Sequence, residues 1–286
     1  MLGKVDIESF LSSIPSLKEN LTLGNLDFQS KNSISWLKEV KFYPKFKQGY
    51  LILTENDWKQ IDKINPKIIH IISNSSPRLE FAKILQKYFS HLGLQLFNDV
   101  DRHRSRKDLE IGDNVYIGLD VIIGENVKIF NNTSIHNNTT IGNNCIIKEN
   151  VVIGSEGLGI EWDNGEMIKF PQIGGVVIGD KVEINTYTDI KRGALSNTMI
   201  GDECKIGSYI NVGHNVIIGK KCIFTSQCVI AGSTVIGDRF FMGVNSSTRN
   251  GVTIGNDCTL GAHSYINRSI PNNQIIIGTA SNNKFT

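Results

Sequence analysis

The sequence predicts a mainly β protein, a parallel β-helix preceded by a small α/β domain, and three observations carry that prediction. From Ile111 a branched apolar residue returns every six positions, at Ile117, Ile123, Ile129, Ile135, Ile141, Ile147 and Ile153. The phase resumes at Ile178, Ile184 and Ile190, then runs from Ile200 through Ile206, Val212, Ile218, Phe224, Ile230, Ile236, Met242, Thr248, Ile254 and Leu260 to Ile266. Glycine often follows the ladder residue, as at Gly118, Gly142, Gly219, Gly237 and Gly255, whereas residues 1–98 lack the period altogether. A repeat of six fits neither the 3.6 of a helix nor a lone alternating strand. It fits short strands separated by tight corners, with three hexads making one triangular coil. Ladder residues then point inward and stack, and Gly, Asn and Asp supply the positive φ that corners need. The Asn-rich stretch from Asn131 to Asn144 is read as such corners, because the ladder runs through it unbroken.

Before the ladder, Ile7 to Leu17 has amphipathic helical spacing, Gly49–Leu53 and Ile68–Ile72 read as strands, and Pro77 to Leu92 reads as a helix. The expected division is an α/β domain over 1–98, a linker over 99–110 and a β-helix over 111–286, with an inserted loop at about 155–177.

Among 286 residues, 40% are hydrophobic, enough for a core, and 30 basic against 28 acidic residues leave a formal charge of +2. That balance is no nucleic-acid footprint, and the cluster Arg102, Arg104, Arg106 and Lys107 reads as a solvated linker. The N-terminus has no basic region followed by an apolar run, and Ile68–Ile72 is too short to span a bilayer, so a cytoplasmic location is expected. Cys145, Cys204, Cys222, Cys228 and Cys258 each stand four residues after a ladder residue. This inward position suits a small hydrophobe, so they read as structural thiols rather than as a metal or disulfide set.

Two stretches of the N-terminal domain, Ile34-Ser35-Trp36-Leu37-Lys38-Glu39-Val40-Lys41-Phe42 and Asn74-Ser75-Ser76-Pro77, resemble the UDP-3-O-acylglucosamine N-acyltransferases of lipid A biosynthesis. The resemblance continues at Gly154-Ser155-Glu156-Gly157-Leu158-Gly159, at Phe170-Pro171-Gln172-Ile173-Gly174, at Thr188-Asp189-Ile190-Lys191-Arg192-Gly193-Ala194-Leu195 and at Val212-Gly213-His214-Asn215. It implies a left-handed β-helix, an exception to the right-handed crossover rule, and a homotrimer with active sites between neighbouring helices. It also implies that Trp36 and Phe42 hold the base of a nucleotide by stacking. Glu39 stands where the family has asparagine, and Lys191 where it has aspartate, so Asp189 or another carboxylate would take over that position. Arg192 and Asn215, with Glu39 and Asp189, complete the expected substrate contacts.

His214 follows a ladder residue by two and therefore faces outward, which sets it apart from a core histidine. The resemblance makes it the general base that takes a proton from a sugar amine attacking a thioester, work that suits a side chain titrating near neutrality. One coil further along the same corner stands Gly232, whose small size lets a thioester approach and whose N–H could stabilise the oxyanion. The family's second histidine turn reads Thr248-Arg249-Asn250-Gly251 here. A zinc site is not expected: His214 and His263 are not a whole number of coils apart and face different walls.

The expected function is therefore transfer of an acyl group from acyl-CoA or acyl carrier protein to the amine of a nucleotide-linked amino sugar for a surface glycan, with no cofactor. The family's C-terminal carrier-binding helices have no counterpart in the polar stretch from Arg268 to Thr286. Alternatives are the lipid A enzyme itself, an O-acetyltransferase, and a non-catalytic binder of sugar nucleotides.

Overall fold

The computed structural model describes residues 4–8, 10, 22–23, 33–89, 93 and 97–278. Two compact units emerge: Met1–Gly93 together with Leu158–Pro171, and Leu94–Gly157 together with Gln172–Thr286.

The first unit is built on five parallel strands, β1 (Lys4–Asp6), β2 (Thr22–Leu23), β3 (Ser33–Trp36), β4 (Gly49–Thr54) and β5 (Ile68–Ser73), in the order β1-β5-β4-β3-β2. Helix α1 (Glu55–Lys59) starts with a capping box, in which the Thr54 hydroxyl accepts from the Asp57 N–H and Thr54 N–H donates back to the Asp57 carboxylate. Helix α2 (Pro77–Tyr88) has proline in its first turn, where no backbone donor is wasted, and buries Leu79, Phe81, Ala82, Ile84 and Leu85. Both strands and the helix expected from the sequence are present; residues 90–92 at the expected end of α2 lie outside the described residues, as does most of the expected helix from Ile7 to Leu17.

The inserted loop is an antiparallel hairpin, Ile160–Asp163 with Glu166–Lys169. Asn164 (φ 50°) and Gly165 (φ 88°) turn it, the residue pair that a two-residue hairpin loop favours. The hairpin packs on α2: Arg78 pairs with Glu161, and Lys83 Nζ lies 2.8 Å from Asp163 Oδ2. Its return residue Phe170 is buried beside Trp36 and Phe81.

The second unit is a parallel β-helix of three sheets with eight, seven and nine strands. Register partners are eighteen residues apart, as in Ile117↔Ile135↔Ile153 and Val229↔Ser247↔Tyr265, with three exceptions, the last being the final coil, where Leu260 pairs with Ile276. Ile153 pairs with Ile190 across the hairpin insertion, and Ile190 pairs with Val212 across a smaller bulge at residues 193–197. Ladder residues are buried on one another from coil to coil. Corners fall three residues after most ladder residues, and from Asn114 to Asn150 every one is Asn or Asp with φ between 54° and 61°. Further along, Lys181, Tyr187, Glu203, Tyr209, Lys221, Gln227 and Arg239 take the same left-handed conformation. Each costs about 1 kcal/mol against glycine, an expense borne by stacking within the solenoid.

All five cysteines are buried and unlinked, and each Sγ donates to a neighbouring carbonyl, for example Cys145 to Gly179 O (3.1 Å) and Cys228 to Gly243 O (3.3 Å). Burial pushes both of these thiols up, consistent with their structural reading.

The basic segment is solvated at Arg102, Arg104 and Lys107, as expected, but it is not a plain linker: residues 99–110 contain helix α3 (Val100–Arg104), with Val100 and His103 buried. Asp99 N–H donates to Ile117 O at 2.6 Å. Arg104 reaches Gly112 O (2.7 Å) and Arg106 reaches Gly124 O (3.0 Å), so guanidinium groups cover carbonyls that the first coils leave unpaired. Among the described residues no helix is long and apolar enough to cross a membrane.

Candidate active site

The two interruptions of the ladder flank one side chain, His214. On one side the bulge holds its neighbour Asn215. The Asn215 Oδ1 accepts from Ala194 N–H at 2.9 Å, while Nδ2 donates to Ser196 O (3.1 Å) and Ser196 Oγ (3.0 Å). A backbone N–H must face oxygen and a carbonyl must face an amide N–H, so these partners fix which way the carboxamide points. His214 Nδ1 lies 3.1 Å from the same Oδ1. It therefore carries the proton and donates it, which leaves Nε2 as the free basic nitrogen.

On the other side stand Gly157 and Gln172, both residues of the second unit. Buried Gln172 takes the Gly157 N–H on its Oε1 at 2.6 Å, and a methyl added at Gly157 would stand 3.4 Å from His214 Cδ2. A methyl added at Gly232 would come within 2.7 Å of His214 Nε2. The imidazole is thus shelved on Gly232, where a side chain could not fit.

Gly232, like His214 and Asn250 in its own column, lacks a corner hydrogen bond found on the other walls. At Asp113, Glu125, Lys220 and Asp238, the backbone N–H two residues after the ladder position donates to an Asn or Asp Oδ1 one coil on, at 2.8–2.9 Å. Asn250 is the counterpart for Gly232, but its Nδ2 donates to Gly232 O at 2.6 Å instead. Among the described residues the Gly232 N–H meets no acceptor. A base with its lone pair directed at a glycine, beside an uncommitted N–H, is the arrangement that acyl transfer needs.

The model for the bacterial transferase hexapeptide (six repeats) matches residues 120–155 and 197–232, and that for the hexapeptide repeat of succinyl-transferase matches residues 233–268. These stretches carry hexapeptide repeats of the kind described for bacterial transferases. The chain is 43% identical over 119 residues to a protein of Arabidopsis thaliana named "Probable UDP-3-O-acylglucosamine N-acyltransferase 2, mitochondrial", covering 41% of this chain and 39% of the plant protein. It is 37% identical over 119 residues to the UDP-3-O-acylglucosamine N-acyltransferase of Methylobacterium nodulans, covering 42% and 34% of the two chains. The match thus spans well under half the length of these relatives. Among solved structures it resembles LpxA from Acinetobacter baumannii, with a TM-score of 0.55 and 24% identity over 61% of this chain and 66% of that one. That likeness carries the fold, a left-handed parallel β-helix.

The other residues expected at the site fall in different settings. Asn215, expected to touch substrate, has its carboxamide committed to the bulge and to His214. Arg192 is fully buried, with Nε on Gly154 O (2.9 Å) and Nη2 on Asn137 O (2.6 Å), so it braces the wall from behind rather than meeting a substrate. Asp189 is tied to Lys191 Nζ and to Ser155 Oγ, each at 2.5 Å, and the group orienting His214 is an amide rather than this carboxylate. In the first unit, the half-buried Trp36 packs on Phe81 (centroids 4.8 Å apart) and Phe170 (5.8 Å). Phe42 is half-buried beneath the ammonium groups of Lys41 and Lys45, and exposed Glu39 pairs with Lys41 at 2.6 Å. Sequence reasoning missed Gln172 and Ser196. Their signal was present in the ladder, which breaks from Ile153 to Ile178 around Gln172 and steps ten residues from Ile190 to Ile200 around Ser196.

Proposed function

We propose that this chain is an N-acyltransferase that moves an acyl group from a thioester to the amine of a nucleotide-linked amino sugar. The observation that carries the reading is the His214 ring, held by Asn215 at Nδ1 and resting on Gly232 at Nε2. Nε2 takes a proton from the attacking amine as the nitrogen bonds to the thioester carbon. The Gly232 N–H receives the oxyanion, and collapse breaks the C–S bond while the imidazolium returns the proton to the leaving thiolate. The thioester carrier is acyl-CoA or acyl carrier protein and no cofactor takes part. Trp36 and Phe42, with Glu39, are the candidates for holding the nucleotide base.

A homotrimer in the cytoplasm accompanies this reading. Its support is a column of exposed apolar residues on the seven-stranded sheet, Ile122, Met199, Ile217 and Val235, which a second copy would cover. The names of the relatives favour a second choice of acceptor, UDP-3-O-acylglucosamine. Mass spectrometry of reactions pairing UDP- and dTDP-amino sugars with acetyl-CoA or hydroxyacyl carrier protein decides between them. A short acyl amide on a simple nucleotide amino sugar supports the first acceptor, and transfer to UDP-3-O-acylglucosamine alone supports the second. Absence of any amide product, or full turnover by His214→Ala, defeats the proposal.

A further inference from the structure

Behind the site wall, around Gly154, lies a group of buried polar atoms that the proposed reaction does not use. Arg192 Nη1, Thr139 Oγ1 and His136 Nδ1 are each buried without a hydrogen-bond partner. They surround one glycine: a methyl on Gly154 would lie 3.1 Å from Thr139 Oγ1 and 3.3 Å from His136 Cβ, and Arg192 Nε bonds the Gly154 carbonyl. Gly154 itself has φ 85°, so the backbone is bent there and carries no side chain to fill the space.

Charge separates a water from an ion as the missing occupant. Arg192 makes three side-chain hydrogen bonds, to Gly154 O, Asn137 O and Asn137 Oδ1, and all three acceptors are neutral. No ion pair reaches it among the described residues, and burial lowers its pKa despite an opposing pull from Glu156. His136 is held in its neutral form by burial and by the Arg192 charge, against a weaker contribution from Asp189. The corner thus contains one buried cation, one hydroxyl and one neutral imidazole, each with an unused polar atom. A water would satisfy the hydrogen bonds and leave the guanidinium without a counter-charge in contact, whereas an anion supplies both. We infer that this corner holds one monovalent anion of chloride size, bound by the Arg192 guanidinium, the Thr139 hydroxyl and the His136 imidazole. The ion ties Arg192 into the arm Gly154–Gly157, which Arg192 N–H already holds through Ser155 O at 2.9 Å, and that arm ends against the His214 ring.

Two measurements on the full chain test this. Crystals transferred into sodium bromide and measured at the bromine edge should give an anomalous peak in contact with Arg192 and Thr139. Thermal unfolding in sodium chloride and in sodium gluconate at equal ionic strength should show a higher midpoint in chloride. Thr139→Val keeps the shape and removes only the hydroxyl, and should raise the half-saturating chloride concentration about tenfold, the loss of one hydrogen bond to a charged group. A peak of water density without anomalous signal, bromide found only elsewhere, or identical melting in the two salts overturns the inference. The scattering result on the unsubstituted protein stands whether or not the variant folds.

Discussion

Replacing Gly232 with alanine is the sharpest perturbation of the proposed chemistry. The added carbon would stand 2.7 Å from Nε2, 2.9 Å from Cε1 and 3.0 Å from Cδ2 of His214, about 0.7 Å inside the 3.4 Å of ordinary contact. The ring tip is the yielding partner, because the solenoid backbone is clamped by its coil-to-coil hydrogen bonds. Rotating it away relieves the overlap but breaks the 3.1 Å approach of Nδ1 to Asn215 Oδ1, so both the aim and the tautomer of the base are lost. A displacement of this size at a reacting group lowers kcat by about 100-fold, and the methyl also crowds the N–H that would receive the oxyanion. Stability should change by less than about 1 kcal/mol, since the strain is released in one partly exposed side chain. Steady-state kinetics, with circular dichroism melting as control, measures both. A Gly232→Ala enzyme within twofold of the unsubstituted kcat refutes the assignment of Nε2 and of Gly232. A loss explained wholly by unfolding would refute the claim that the ring yields.

Asn215→Gly keeps a residue that accepts φ 58° while removing the carboxamide, and should lower kcat about 10- to 100-fold with KM little changed; an equal change in both would indicate substrate contact instead. A thiol reagent such as DTNB should find no reactive cysteine in the native protein and all five after denaturation, because every one is buried. Burial and the neighbouring Arg102 charge lower the pKa of His103 below its ordinary 6.5. Below that pH the unfolded chain takes up a proton that the folded chain refuses, so stability is complete above about pH 6.5 and falls as the solution is acidified. His103→Leu should flatten the dependence of the melting midpoint between about pH 7 and 5, and an unchanged slope would count against this origin.

The fold was legible because a solenoid repeats its constraint in every coil. Ile111 to Ile153 announce the inward column, Asn114 to Asn150 the corners, and the cysteines sit where a small interior residue is needed. His214 was legible for the complementary reason, as a titratable group at an outward position. Its surroundings were not, because they arise where the period fails. Asn215 reads as a substrate ligand until the bulge at Ala194 and Ser196 is seen to consume its amide. Arg192 sits in a motif that suggests an exposed cation, yet the change of path after Ile190 turns it into the wall. Lys191 and Asp189 are two residues apart, and only the extended strand between them shows that they neutralise one another.

The arginines of the 99–110 segment bear on a hazard specific to stacked coils. A solenoid has no intrinsic end: the first coil offers a row of unpaired backbone acceptors that would serve the last coil of another molecule equally well. Placing Arg102 on Val121 O and Arg106 on Ile123 O occupies part of that row with charged groups that no incoming strand could pair with. What reads in the sequence as a basic linker therefore acts as a terminator, keeping a structure that could grow indefinitely at a finite length. Neutralising both arginines should show itself as end-to-end fibres in electron micrographs before it shows as lost secondary structure.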